Sequence, residues 1–280
     1  MIETLASGAD CRDSAPVDAG VVVLLSVVAG LGVSVLTSPV GVSGAVFLLP
    51  VQLSVLQVPS PAITPTNLLF NIVAIPGALA RYRTQGPLRT PLTAMLLIGT
   101  LTGVVIGAIL RVFVLSGPQV SRLLVAGFLA PLGIWLCWRP GRSTRAVPGR
   151  LLAPPRSTTI ALAAIVGVIG GIYGIGGGSL LSPILVGRGV PVATVAPATL
   201  VSTFLTSVLG AITYLALAAI TAADHIAPHW IVGLSAGAGG LIGGYLGARL
   251  QPRLPERVLR TTLGVLAIGA AALYLMQILH

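Results

Sequence analysis

Two stretches 133 residues apart say nearly the same thing. GVSGAVFLLP at 41–50 and GIGGGSLLSP at 174–183 align so that Gly41 matches Gly174, Gly44 matches Gly177 and Pro50 matches Pro183. The match continues at Thr66 with Thr199, Gly77 with Gly210 and Ala78 with Ala211. Further on the offset becomes 140, and Gly99, Gly103 and Gly107 match Gly239, Gly243 and Gly247. A duplicated apolar unit broken by glycine predicts two related halves with a site between them, the plan of a secondary transporter.

The solvent for this duplication is lipid. Mean hydropathy is +1.01, 55% of residues are hydrophobic and 8% are charged, far from soluble composition. Ten apolar segments are expected, near 20–38, 43–57, 62–80, 91–111 and 120–138, then 158–173, 178–187, 195–220, 229–249 and 259–279. The expected class is all-α, a polytopic membrane helix bundle of about 8–10 membrane segments. Its parts are an extracytoplasmic tail (1–19), a first repeat (20–138), a linker (139–157) and a second repeat (158–280). The tail lacks the basic start of a signal peptide. The linker RPGRSTRAVPGRLLAPPRS is too charged and too rich in proline to enter lipid.

Charge sets the orientation. All sixteen basic residues are arginine, and twelve of them fall in three connections: 81–89, 139–156 and 249–260. By the positive-inside rule these three are cytoplasmic. The tail and the 221–228 connection then lie outside, each repeat crosses an odd number of times, and the two repeats are inverted. Arg111 and Arg122, which flank an outside loop, run against this assignment. From Gly178 to Arg188 is about 15 Å of helix, half of a hydrocarbon core. Segments 158–173 and 178–187 therefore read as a re-entrant hairpin with a glycine tip near the midplane. By the repeat, 20–38 and 43–57 form a second hairpin entering from the other face.

The acids Glu3, Asp10, Asp13, Asp18, Asp224 and Glu256 all lie outside the apolar segments. A cation pathway usually needs buried carboxylates, so this composition speaks against metal cations and favours an anion. Cys11 and Cys137 lack metal or redox spacing, and Pro228 separates His229 from the helical register that His225 and Asp224 would need for a metal. No cofactor, no nucleotide-binding domain and no nucleic-acid partner is expected. The expected partners are a small anionic substrate and the bilayer of the inner (plasma) membrane. Oligomeric state is left open, a homo-oligomer included.

The candidate site is built on the tips. Gly174, Gly176, Gly177 and Gly178 let backbone N–H groups converge, and the helix that starts there turns its positive end to the same spot. Ser179 can cap that helix or donate to a ligand. Ser43 and Gly44 stand at the first tip, with Gly41, Pro50 and Pro183 shaping the two turns. Thr66, Asn67 and Asn71 on the third segment, and Thr199, Ser202, Thr203 and Thr206 on its partner, can line a cavity between the repeats. The other reading of the glycines is close helix packing, and of the hydroxyls interhelical hydrogen bonding. For the stripes at Gly99–Gly107 and Gly239–Gly247 packing is the preferred reading. A leucine at Gly177 is expected to fill the anion's space and stop transport while leaving the fold intact.

The segment GIYGIGGGSLLSPILVGRGVPVATVAPATLVSTFLTSVLGAITY (171–214), its weaker echo at 41–82 and the glycine-spaced helices after each resemble the sulfite exporter TauE/SafE family, over roughly residues 20–279. The resemblance implies transport of small sulfur-containing or organic anions such as sulfite or sulfonates. It carries over to Gly174, Gly176, Gly177, Gly178, Pro183 and Thr199, and to Gly41, Gly44, Pro50 and Thr66. Val42, Ser43 and Ala45 depart from the expected glycine pattern, which argues against two chemically equal tips. A passive anion channel and a non-transporting scaffold stand as alternative functions.

Overall fold

The computed structural model describes residues 19–54, 60–113, 134, 156–221 and 228–279. Among them are nine α-helices and no strand: α1 Ala19–Thr37, α2 Ala45–Ser54, α3 Ser60–Arg83, α4 Pro91–Phe113, α5 Arg156–Tyr173, α6 Gly177–Gly187, α7 Val192–Thr221, α8 Trp230–Leu250 and α9 Glu256–Leu279. Most of the tail, the fifth apolar segment, nearly all of the linker and the loop bearing Asp224 and His225 lie outside the described residues, as do Cys11 and Cys137.

The chain is a helical membrane bundle. Among the described residues, six helices are long and apolar enough to cross a bilayer: α1, α3, α4, α5, α7 and α8. The 8–10 segments expected also count the fifth, which lies outside the described residues, and the short limbs at 43–57 and 178–187. The helices α2 and α6 have only 10 and 11 residues, about 15 Å each. The 19 residues of α1, by contrast, extend about 28 Å, the thickness of a hydrocarbon core. The limb expected to enter only half-way thus has the length of a span, and only its return limb is short.

Local chemistry sets the helix ends. Pro39 opens a 3₁₀ turn after α1, and Gly41 closes it at φ 73°, its N–H bonded to Ser38 O. Thr90 accepts the Thr93 N–H at 3.1 Å just before Pro91 starts α4. Pro65, Pro76 and Pro197 sit inside long helices, where each removes one backbone donor from the ladder.

Packing is dominated by glycine against backbone. Gly239, Gly243 and Gly247 of α8 lie against the carbonyl oxygens of Val27, Leu31 and Val35 on α1. Gly99, Gly103 and Gly107 of α4 lie against those of Ile160, Ala164 and Val168 on α5. A Cβ at any of these six would collide with backbone, so the stripes are packing faces. Each pair in the first set maps onto one in the second through the two sequence offsets.

The same contacts give directions. Residue numbers rise together along α1 and α8 and along α4 and α5, so each pair is parallel. On α3 and α8 they rise through Leu69–Gly233, Val73–Gly237 and Gly77–Leu241, again parallel. On α4 and α7 the sequence Thr100–Ser202, Val104–Gly210 is parallel too. Across the centre, Asn71 meets Ser207 while Leu68 meets Gly210, so α3 and α7 are antiparallel. Helices α1, α3 and α8 therefore run one way, and α4, α5 and α7 the other. Bulky apolar side chains such as Leu24, Val28, Ile165 and Ile220 remain exposed on the outside of the bundle, where lipid meets them.

Candidate functional site

Two breaks in the backbone, 37–44 and 173–177, meet inside the bundle. At each break helical hydrogen bonds stop, and carbonyls buried in the bundle need other donors. Side chains supply them. At the first tip Ser38 O accepts from the Tyr82 hydroxyl at 3.0 Å, Val40 O from Ser182, and Gly41 O from Thr199 at 2.8 Å. At the second, Gly171 O accepts from Tyr214 at 2.8 Å, Ile172 O from Thr64 at 3.2 Å, and Gly174 O from the Asn71 amide at 3.3 Å. In both cases one donor comes from the same part of the chain as the tip, and two come from the other part.

The tips also touch directly. The Ser43 N–H donates to Ser179 Oγ at 3.0 Å, and Ser179 Oγ in turn donates to Ile175 O at 2.9 Å. Ser43 Oγ donates to Asn71 Oδ1 and accepts the Ala45 N–H at 3.1 Å, where it serves the first turn of α2. The Asn71 amide nitrogen also reaches Ser207 Oγ at 3.1 Å. Ser43, Ser179, Asn71, Thr199 and Ser207 are all buried.

Positive φ angles near 70° at Gly174 and Gly176 let the second tip turn, a conformation other residues rarely hold. Gly176 precedes α6, whose first turn leaves the N–H groups of Gly177 and Gly178 without intrahelical acceptors. The α-carbon faces of these glycines are not open, however. Gly174 packs on Thr64 O, Gly176 on the Thr203 methyl, and Gly178 on Thr199 O and the Thr203 hydroxyl. A Cβ at Gly177 would stand 2.7 Å from the Thr100 methyl, so the expectation that a leucine there leaves the fold undisturbed is corrected. Gly44 meets only side chains, Val33 and the Phe70 ring, at 3.0–3.1 Å.

Not every sequence candidate reaches the tips. Thr66 donates to Ala62 O at 2.6 Å and accepts the His229 N–H at 2.8 Å, at the corner where α8 begins. Its repeat partner Thr199 sits on the first tip, so the two are not brought together. Pro183 is buried within α6; of Pro50 only the backbone, within α2, is described. Asn67 is fully buried and lies one turn from both Thr64 and Asn71, on the α3 face that serves the second tip. Neither of its amide atoms has a hydrogen-bond partner among the described residues, and neither does the Thr203 hydroxyl beside Gly178. Sequence reasoning missed Tyr82, Tyr214, Thr64, Ser182 and Ser207. Two tyrosines at nearly matching places late in the third segment of each repeat were a legible sign.

The space beside the tips is small. A recess of about 20 Å³, room for about one water, opens between Val42, Val46, Ser179, Leu180, Pro183 and Leu263 of α9. The electrostatics come from dipoles. The only described carboxylate, Glu256, accepts the Val192 N–H at 3.2 Å at the start of α7, away from both tips. No group of His, Cys, Asp and Glu able to hold a metal occurs among the described residues.

The family model for the sulfite exporter TauE/SafE family matches residues 26–275. This covers both tips, the glycine stripes and most of the chain, and the protein belongs to that family. No curated protein and no solved structure matches the chain.

Proposed function

We propose that this family member is a secondary transporter that exports a small sulfur-containing or organic anion, such as sulfite or a sulfonate, by alternating access around the two tips. The coarse part follows from membership: a multi-pass membrane protein of an anion-exporter family. The finer reading is that 20–138 and 158–280 are inverted repeats joined by a cytoplasmic linker, in the inner membrane, with a short outer tail.

The helix directions support inversion. Repeat partners α1 and α5, α3 and α7, and α4 and α8 fall into opposite sets, and the central pair α3–α7 crosses antiparallel. The hairpin reading draws support from the same source. Because α1 and α3 run the same way, the chain between them must return to its starting face, and α2 begins that return.

The observation that carries the site reading is the Ser43–Ser179 contact. It joins the starts of two short helices whose neighbouring carbonyls are already bonded, so that what remains there is donor-rich and free of ionised acid. Each helix start is equivalent to roughly half a positive charge. An anion could be held by the backbone at Gly174, Gly176, Gly177 and Gly178 and at Ser43 and Gly44, with Ser179, Thr199, Asn67 and Asn71 as side-chain donors. The tips are closed in this conformation, and rocking of the repeats would part the cross-chain hydrogen bonds to admit substrate. Two half charges suit a monoanion, so hydrogen sulfite or a monosulfonate is favoured over sulfate.

Proteoliposome flux tests this. Saturable sulfite efflux with counter-transport of a second anion is expected. Non-saturating current would favour a channel, and no flux with any of a panel of anions would favour a scaffold. Tighter competition by sulfate than by a monoanion of similar size would overturn the dipole argument.

A further inference from the structure

A second groove opens on the outside of the bundle. It holds about 410 Å³ on the outer surface of the seam between α3 and α8, with Pro76, Ala80, Leu241, Ile242 and Tyr245 among its walls. The floor is tight, since Gly77 packs directly on Leu241 O. The walls are apolar and open: Ile242 and Tyr245 are 53% and 42% exposed. Nothing in the described chain covers them.

The parallel course of the two helices gives this groove one charged end. On α3 the lining residues Gly77 and Ala80 are followed, four and three residues on, by Arg81 and Arg83. On α8 the stripe Leu241–Tyr245 continues to Arg249. The ends are tied together by Gln85, whose amide donates to Ala248 O at 3.1 Å. Arg83 and Arg249 are exposed. Arg81 donates to Thr84 Oγ1 at 2.8 Å, while its Nε, buried, has no hydrogen-bond partner among the described residues. The one described carboxylate is engaged at the start of α7, so no described acid neutralises these arginines. Helix dipoles add negative character at both C-terminal ends, which three cations more than offset.

We infer that the α3–α8 groove is a binding site for an anionic phospholipid, with an acyl chain along the apolar walls and the phosphate among Arg81, Arg83 and Arg249. An apolar trough capped by cations at one membrane face matches an amphiphile with a negative head, and basic pockets between membrane helices hold such headgroups. Zwitterionic lipid would fill the trough but leave the arginines unmatched. The inference rests only on the protein's being embedded in a bilayer. It concerns the seam that α8 makes with α3, beside its seam with α1, so an occupant there would brace helices from opposite ends of the chain.

The test uses purified full-length protein, delipidated in detergent, with phosphatidylglycerol and phosphatidylcholine of identical acyl chains. Native mass spectrometry should retain one phosphatidylglycerol per chain, and thermal unfolding should move up with phosphatidylglycerol only. Arg83→Gln and Arg249→Gln, both at exposed positions, should each lower that retention about fivefold. Ala80→Trp, which fills the exposed trough without altering charge, should lower it as well. Equal retention of the two lipids would overturn the site in favour of ordinary annular lipid. Loss in the arginine variants with no effect of Ala80→Trp would overturn the groove and leave only a charged surface. Failure of one arginine variant to fold would shift the test to the other and to suppression of retention by high salt.

Discussion

At the first tip, the donors from across the chain are two hydroxyls, Ser182 and Thr199; at the second they are a hydroxyl and an amide, Thr64 and Asn71. Tyrosine serves each tip from its own part of the chain. The pattern is reciprocal, yet the side chains are not repeat partners. Asn71 corresponds to Phe204, Ser182 to Leu49 and Thr64 to Pro197. The glycines differ as well. Those of the second tip press on backbone and on Thr203 and Thr100; at the first, Gly41 presses on the Ala196 backbone and on Thr199, while Gly44 presses only on side chains. The two breaks thus fall at matching places in the aligned stretches, and each tip has its own means of satisfying the carbonyls exposed there. The second tip is the more constrained in conformation, and Asn71 ties it to the first.

The contrast breaks most readily at glycine. Gly178→Ala should cost about 3 kcal/mol or more, because Thr199 O is backbone and cannot move aside, whereas Gly44→Ala should cost about 1 kcal/mol. Thermal unfolding in detergent reads both, and equal losses would show that the tips are equally tight. Next in size is Asn71→Leu. It strands the Gly174 carbonyl and removes the partners of Ser43 and Ser207, for a loss of about 2–3 kcal/mol. A stable variant would mean that the second tip tolerates an apolar neighbour, as Phe204 is tolerated in the other repeat.

Ser179→Ala should cost about 1 kcal/mol of stability, since the Ser43 N–H loses its acceptor. Its larger effect should be on sulfite flux, expected to fall about tenfold if that donor contacts the anion in the transport cycle. Unchanged flux would make the contact between tips purely structural. The smallest change in stability is expected for Thr203→Val. The hydroxyl has no partner among the described residues, so its loss should leave unfolding unchanged within about 0.5 kcal/mol. A fall in flux without loss of stability would assign Thr203 to the substrate, and retained flux would remove it from the site.

The helices, their breaks and their packing stripes were legible in the sequence because their causes are local. Gly41, Gly174 and Gly176 mark the turns where φ is positive, Pro39 and Pro91 mark helix starts, and four-residue glycine spacing marks a seam where backbones touch. The absence of acid from the apolar segments was equally plain. The repeat, though, matches backbone positions and not side-chain roles, and for that reason it misled at Thr66. Its partner Thr199 caps Gly41 O, while Thr66 holds the corner at His229. The segment 20–38 was read with the length that α1 has, nineteen residues, because its apolar run is unbroken.

What the sequence by itself determined was a helical membrane bundle whose apolar segments hold no acid and are broken by glycine at two matching places. Which hydroxyl meets which carbonyl was decided only in the tertiary structure. Ser43 and Ser179 are 136 residues apart. Their contact depends on how far each long helix is turned about its axis. The glycine seams of α1 with α8 and α4 with α5 set that rotation, and no local run of residues encodes it.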